Sequence, residues 1–259
     1  MSNLYIKAPT AGGGGGQTDS YTIFSDFFRP PGSNGSYTNG IVSANIGTVT
    51  QDYINTDKQK GHPGTVKVKT GSSQVNRGII YGIAPNQYSL TYEEGVQCDT
   101  IFRINTFDAL AKYSLGYRYG FPSASSDAYG TTAMMIIEND TVFGYANNTA
   151  FSGYEAGAIT PTSYTLTAGE WYHFRVKFVS ADLIEFYVYS MDGEVVWSDI
   201  LTTNIPVLFY STIISTMSLQ LTMYSSAGVS GSEHMEIDYL GITFPSIQRG
   251  AGGIINFNQ

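Results

Sequence analysis

The residues best placed to do chemistry are few. Glu236 and Asp238 stand two apart in the stretch MEIDYLGITF, and in a strand that spacing turns both carboxylates to one face. Carboxylate pairs of this kind run glycoside hydrolysis, where nucleophile and acid/base must flank the scissile bond about 5.5 Å apart for retention. Nucleophilic triads have less to offer. His62, His173 and His234 are the only histidines, and no Gly-x-Ser-x-Gly elbow accompanies them. His62, in Gly61-His62-Pro63-Gly64, has no second donor at ligand spacing, which fits turn packing rather than metal binding. His173 falls on the polar side of its strand, where a solvated or loop-bonded imidazole is expected. Glu93-Glu94, Asp182 and Asp192 read as turn or loop carboxylates. No Asp-x-Asp-x-Asp-Gly run is present, so no metal and no cofactor is assigned.

Binding chemistry has a wider base. Tyr129, Tyr145, Asn147, Asn148 and Tyr154 are the candidate glycan contacts, since sugars stack on aromatic rings and amides read hydroxyls. The same residues would also suit a tyrosine-rich sandwich surface or a subunit interface. The two ends offer a different kind of contact. Leu4, Tyr5 and Ile6 precede Gly12 to Gly16, and five glycines in a row make a flexible joint. That pattern predicts an anchoring arm over residues 1–17, docking on another subunit. Ile254, Ile255 and Phe257 follow Arg249-Gly250-Ala251-Gly252-Gly253, a second glycine joint before a C-terminal docking patch in the tail, 245–259.

Between the tethers the pattern is β throughout. Trp171, His173, Arg175, Lys177 and Val179 alternate with Tyr172, Phe174, Val176 and Phe178, the period of a half-buried strand. Ala181-Asp182 breaks it, Leu183 to Tyr189 resumes it, and Asp192-Gly193 supplies a two-residue hairpin before Glu194 to Trp197. Thr132 to Glu138, Asn139-Asp140 and Thr141 to Tyr145 form another hairpin. Further strands are expected at Tyr21–Phe28, Ile41–Ile46, Val66–Lys69, Gly78–Ile83, Ser89–Tyr92, Asp99–Ile104, Tyr113–Gly120, Phe209–Met223 and Met235–Phe244. Thr106 to Leu110 is the single helical hint. Twenty Tyr, fourteen Phe and 29 Gly with 13% charged residues suit such a body. No composition break divides residues 18–244, which read as one all-β domain large enough to need no staple. The lone Cys98 agrees, and fits assembly in a reducing cytoplasm. A net charge of −8 without a Lys/Arg cluster argues against nucleic acid. The first residues lack the basic and apolar regions of a signal peptide, and no apolar run nears the roughly 20 residues of a membrane span.

Gly-Glu-Trp at 169–171 opening a long strand and hairpin, His-Pro-Gly at 62–64, Arg77-Gly78, LGYRYGF at 115–121, Asn-Ile-Pro at 204–206 and Ile-Asp-Tyr at 237–239 together resemble the concanavalin A-like (lectin/glucanase, laminin G-like) domains of tailed-bacteriophage virion proteins. The resemblance covers most of 20–244 and implies a single jelly-roll β-sandwich. Glycosidases of this fold carry Glu-x-Asp-x-Glu, or a bulged Glu-x-Asp-x-x-Glu; here the third position falls on Leu240 or Gly241, so the acid/base is missing, no enzyme is expected, and Glu236 and Asp238 read as the solvated acidic edge of a closing strand. What the resemblance implies instead is a structural protein of the virion surface: capsid decoration, head fibre or tail fibre. Its partners would be other capsid or tail subunits, and tethered attachment favours a homo-oligomer, a trimer foremost. A host-surface glycan-binding module is the alternative, and a glycanase or depolymerase comes third.

Overall fold

In a computed structural model of the protein, residues 5–6, 21–25, 42–46, 51–54, 65–69, 77–81, 95–107, 111–119, 132–148, 157–205, 217–225 and 234–244 are described. Among them the chain is all strand and turn, without a helix. The strands in order are β1 (Tyr5–Ile6), β2 (Tyr21–Ser25), β3 (Val42–Ile46), β4 (Gln51–Ile54), β5 (Thr65–Lys69), β6 (Arg77–Tyr81), β7 (Gln97–Ile104), β8 (Ala111–Tyr119), β9 (Thr132–Glu138), β10 (Thr141–Asn147), β11 (Ala158–Ile159), β12 (Tyr164–Thr165), β13 (Trp171–Ser180), β14 (Leu183–Tyr189), β15 (Val195–Leu201), β16 (Met217–Ser225) and β17 (His234–Phe244). They form two antiparallel sheets. One runs β1-β2-β17-β7-β13-β14-β15, with β5 also on β17 and β4 on β5; the other runs β11-β10-β9-β8-β16-β6-β3, with β12 on β10. The fold is the expected concanavalin A-like jelly roll.

Strict alternation builds the first sheet. β13 buries Tyr172, Phe174, Val176 and Phe178, and β14 buries Ile184, Phe186 and Val188. β7 adds Phe102 and Ile104, and β17 adds Met235, Ile237 and Leu240 to the same core. From the second sheet Tyr113, Ala133, Met135, Ile137, Val142 and Ala146 close it. Phe102 meets Phe174 edge-on at 4.2 Å between centroids, a geometry that aligns ring edge with ring face. Cys98 is wholly buried, and burial first, then the neighbouring Asp99 charge, pushes its thiol well up, so it is an inert core side chain.

Several local expectations need correction. Asp192-Gly193 is not a two-residue turn. Only Gly193 takes positive φ (85°), its N–H donates to Ser190 O at 3.0 Å, and Ser190 N–H donates to Glu194 O at 2.9 Å. The loop is therefore the three residues 191–193, with glycine in its left-handed position. Residues 105–107 of the helical hint are not helical; the rest of it, 108–110, and the strand expected at 89–92 lie outside the described residues. β4 was not foreseen, because QDYI shows no alternation long enough to register. Tyr5 and Ile6 pair with Phe24 and Ile23 of this chain's own β2. Leu4, Gly12 to Gly16, Ile254, Ile255 and Phe257 lie outside the described residues.

Gly116 on β8 registers with Met134 on β9. Its φ is +150°, and a Cβ there would press on Ala133 O and come 2.6 Å from Met134 Cα, backbone that cannot swing aside. Gly116→Ala should therefore lower stability by about 2 kcal/mol through strain and displaced pairing. A thermal unfolding midpoint unchanged from wild type would contradict that account.

Candidate functional site

Residues that alternate away from the core of the first sheet make a polar outer face, and two clusters on it are tightly organised. The first is a row across four strands. Lys67 on β5 registers with Glu236 on β17, Glu236 with Arg103 on β7, and Arg103 with Trp171 on β13. Arg103 donates to Glu236 Oε2 from Nε at 2.9 Å and from Nη2; Asn105 Nδ2 donates to Oε1 at 3.1 Å, and Lys67 Nζ lies 4.0 Å away. The guanidinium also lies over the Trp171 ring, 4.9 Å from its centroid, a favourable cation–π placement. The Glu236 side chain is 4% exposed.

The second cluster centres on Asp99 of β7. Its Oδ1 contacts His173 Nε2 and accepts from Arg175 Nε, both at 2.7 Å, while Oδ2 accepts from Gln97 Nε2 at 3.0 Å. Arg175 Nη1 donates to the Tyr189 hydroxyl at 3.3 Å. Tyr189 stacks on His173 across the strand pair (5.0 Å) and on Tyr187 along its own strand (5.7 Å). Burial alone would lower the Arg175 pKa, but the charge and hydrogen bond of Asp99 outweigh it and hold the guanidinium above its usual value. Tyr187 is pushed up to about 12, by burial first and then by its hydrogen bond to Glu185. Lys177 pairs with that same Glu185 at 3.6 Å.

Glu236 is thus no solvated acidic edge. β17 is an interior strand, flanked by β7 on one side and by β5 and β2 on the other, so its outward carboxylate needs partners and has them. Pairing with β7 slips between Ile237 and Tyr239, and this bulge takes in Asp238 and breaks the alternation that would have matched it to Glu236. His173 lies on the polar face as expected, yet it is held by Asp99 rather than by solvent or a loop. Tyr145 and Asn147 are fully buried, and the Tyr145 ring lies in a separate cluster with Met134 and Ile136, with Gly157 against it. In this placement they are interior packing residues rather than glycan contacts, because β10 is buried without alternation from Gly144 to Asn147. Asn148 is exposed, while Tyr129, Tyr154 and His62 lie outside the described residues. The Asp99 cluster was missed, although its signal was present: an acid in a cleanly alternating strand needs cations on the neighbouring strand. Among the described residues no three His, Cys, Asp or Glu side chains gather as metal ligands, and no helix is long and apolar enough to cross a membrane.

The fold is an all-β sandwich of two antiparallel sheets with a polar outer face. A family model described as "SO2946-like, C-terminal domain" matches residues 61–238, and the chain belongs to that family. Among solved structures, the protein of unknown function SO2946 from Shewanella oneidensis MR-1 is similar at TM-score 0.68 and 15% identity, over 91% of this chain and 90% of that one. The CBM2 module of the evolved Dit from Lactobacillus casei BL23 phage J-1 is similar at TM-score 0.52 and 13% identity, over 90% of this chain and all of the module (100%). Both likenesses are of fold. No curated protein sequence matches the chain.

Removing one partner of a buried ion pair strands the other. Glu236→Gln should cost about 3 kcal/mol in urea unfolding, whereas Glu236→Leu with Arg103→Met should recover most of that loss. An effect of Glu236→Gln no larger than that of an exposed charge change would mean the carboxylate is solvated after all.

Proposed function

We propose that the chain is a non-enzymatic structural and binding module displayed on a tailed-phage particle, as capsid decoration, head fibre or tail fibre. The observation that carries the non-enzymatic part is the state of Glu236. A retaining nucleophile must be open to a sugar, with an acid/base about 5.5 Å away; Glu236 is buried under three donors and its neighbour Asp238 is drawn into a bulge. The particle location is supported by the motifs shared with virion domains and by the fold likeness to a phage-borne module. Glycine joints at both ends suit attachment to capsid or tail subunits as a homo-oligomer. A second reading, recognition of a host-surface glycan, is favoured by the half-buried Tyr187–Tyr189–His173 row on the outer face.

Immunogold labelling of purified particles with antibody against the body tests the placement. Gold over the head fits decoration or head fibre, gold at the tail fits a fibre or adaptor, and bare particles overturn the virion reading. Deleting residues 1–16 should leave the body folded and abolish incorporation; full incorporation would remove the anchoring role of the arm. Release of reducing sugar that vanishes in Glu236→Gln would overturn the non-enzymatic reading.

A further inference from the structure

We infer that the Arg175 region of the outer face binds an anionic saccharide, one bearing carboxylate or phosphodiester groups. This rests on the binding-module reading and specifies its ligand class. The inference starts from how Asp99 holds Arg175. A carboxylate serving only to neutralise arginine usually takes the two-pronged contact that uses both ends of the guanidinium. Asp99 instead takes a single side-on bond from Nε and offers the same oxygen to His173 Nε2. The contact fixes the planar group, while of the two terminal nitrogens only Nη1 is engaged, weakly, by the Tyr189 hydroxyl. Nη2 and His173 Nδ1 have no partner among the described residues.

Depth separates the charges as well. The Asp99 side chain is 8% exposed, whereas those of His173, Arg175 and Lys177 are 26%, 29% and 38% exposed. Glu185, 23% exposed, is occupied by Lys177 and the Tyr187 hydroxyl. The acids thus lie lower, and the Arg175 and Lys177 cations form the rim. An incoming anion meets donors first, already oriented, so little rotamer entropy remains to be lost on binding. The carrier is acidic overall, at −8, which makes a donor-rimmed patch on it a local feature rather than a general attraction. The Tyr187 and Tyr189 hydroxyls beside the rim can exchange hydrogen bonds with sugar hydroxyls, which favours a saccharide over a bare anion.

The full-length protein would be titrated against polygalacturonate as the carboxylate polymer, poly(glycerol phosphate) teichoic acid as the phosphodiester polymer, and dextran as the neutral one. Binding to at least one anionic polymer and not to dextran is expected, and it should weaken as salt rises from about 50 to about 300 mM. Which of the two binds identifies the source of the anion. Arg175→Lys keeps the charge but loses the planar fork, and should weaken binding about tenfold. Lys177→Gln, at the exposed rim and safe for folding, should weaken it about threefold. Binding to dextran as tight as to the anionic polymers, binding to none of the three, or wild-type affinity in both variants would each overturn the inference. Particle labelling is a separate readout: gold on particles without saccharide binding sinks this inference alone, and saccharide binding with bare particles sinks the virion placement alone.

Discussion

The pairing of β17 with β7 is the interaction on which the rest of the first sheet depends. Glu236 and Arg103 are 133 residues apart in sequence, yet they sit opposite one another at the sheet's centre. β7 carries β13 on its other side, and β17 carries both β2 and β5, so removing β7 splits the sheet in two and removing β17 splits it in three. Closing so long a loop is unfavourable, although its entropy grows only slowly with length. What offsets it is the continuous apolar layer of Phe102, Ile104, Met235, Ile237 and Leu240 beneath the pair. The ion pair above that layer acts differently. It adds little net stability, but a register slip would leave the Glu236 carboxylate buried without its donors, which penalises wrong pairings.

The parts legible in the sequence were those where one period persists. β13 and β14 alternate for seven residues or more, and their burial follows the alternation without a break until the bulge near Val179. β17 was equally clear as a strand. Its position in the sheet was not, because a strand's own residues do not say who its neighbours are. That is why Glu236 looked like an edge carboxylate. The bulge at Asp238 was illegible for a related reason: a bulge is a mismatch between two strands, and only one of them was in view. Tyr145 and Asn147 show the opposite failure. Their chemistry suits a sugar, but β10 packs both into the interior, and tertiary context overrode composition.

The edges of the two sheets bear on what the body can join. β15 ends the first sheet with Val195 and Ile200 about half exposed, a combination that invites pairing with another chain. Asp199 counters it. Its carboxylate accepts from Ile200 N–H at 2.8 Å and, through the other oxygen, from Thr162 N–H at 2.8 Å. One edge donor is thus capped within the strand, and the 160s loop is held beside it. At the opposite end β1 covers β2 with two residue pairs. Among the described residues, these two ends of the sheet thus each carry a contact made within the chain.

The two clusters on the outer face differ in how their acids are used. Around Glu236 one carboxylate faces Arg103, Asn105 and Lys67, and each donor is turned inward. Such a cluster fixes register and offers nothing outward. Around Asp99 the same chemical elements are arranged with the acid beneath and the donors above, held side-on and stacked against Tyr189. The difference lies in geometry rather than composition, since each cluster pairs a carboxylate with an arginine and an aromatic ring. A period of two determines which residues reach this face. Which strands lie side by side then decides whether a given charge is enclosed within the sheet or left at its surface.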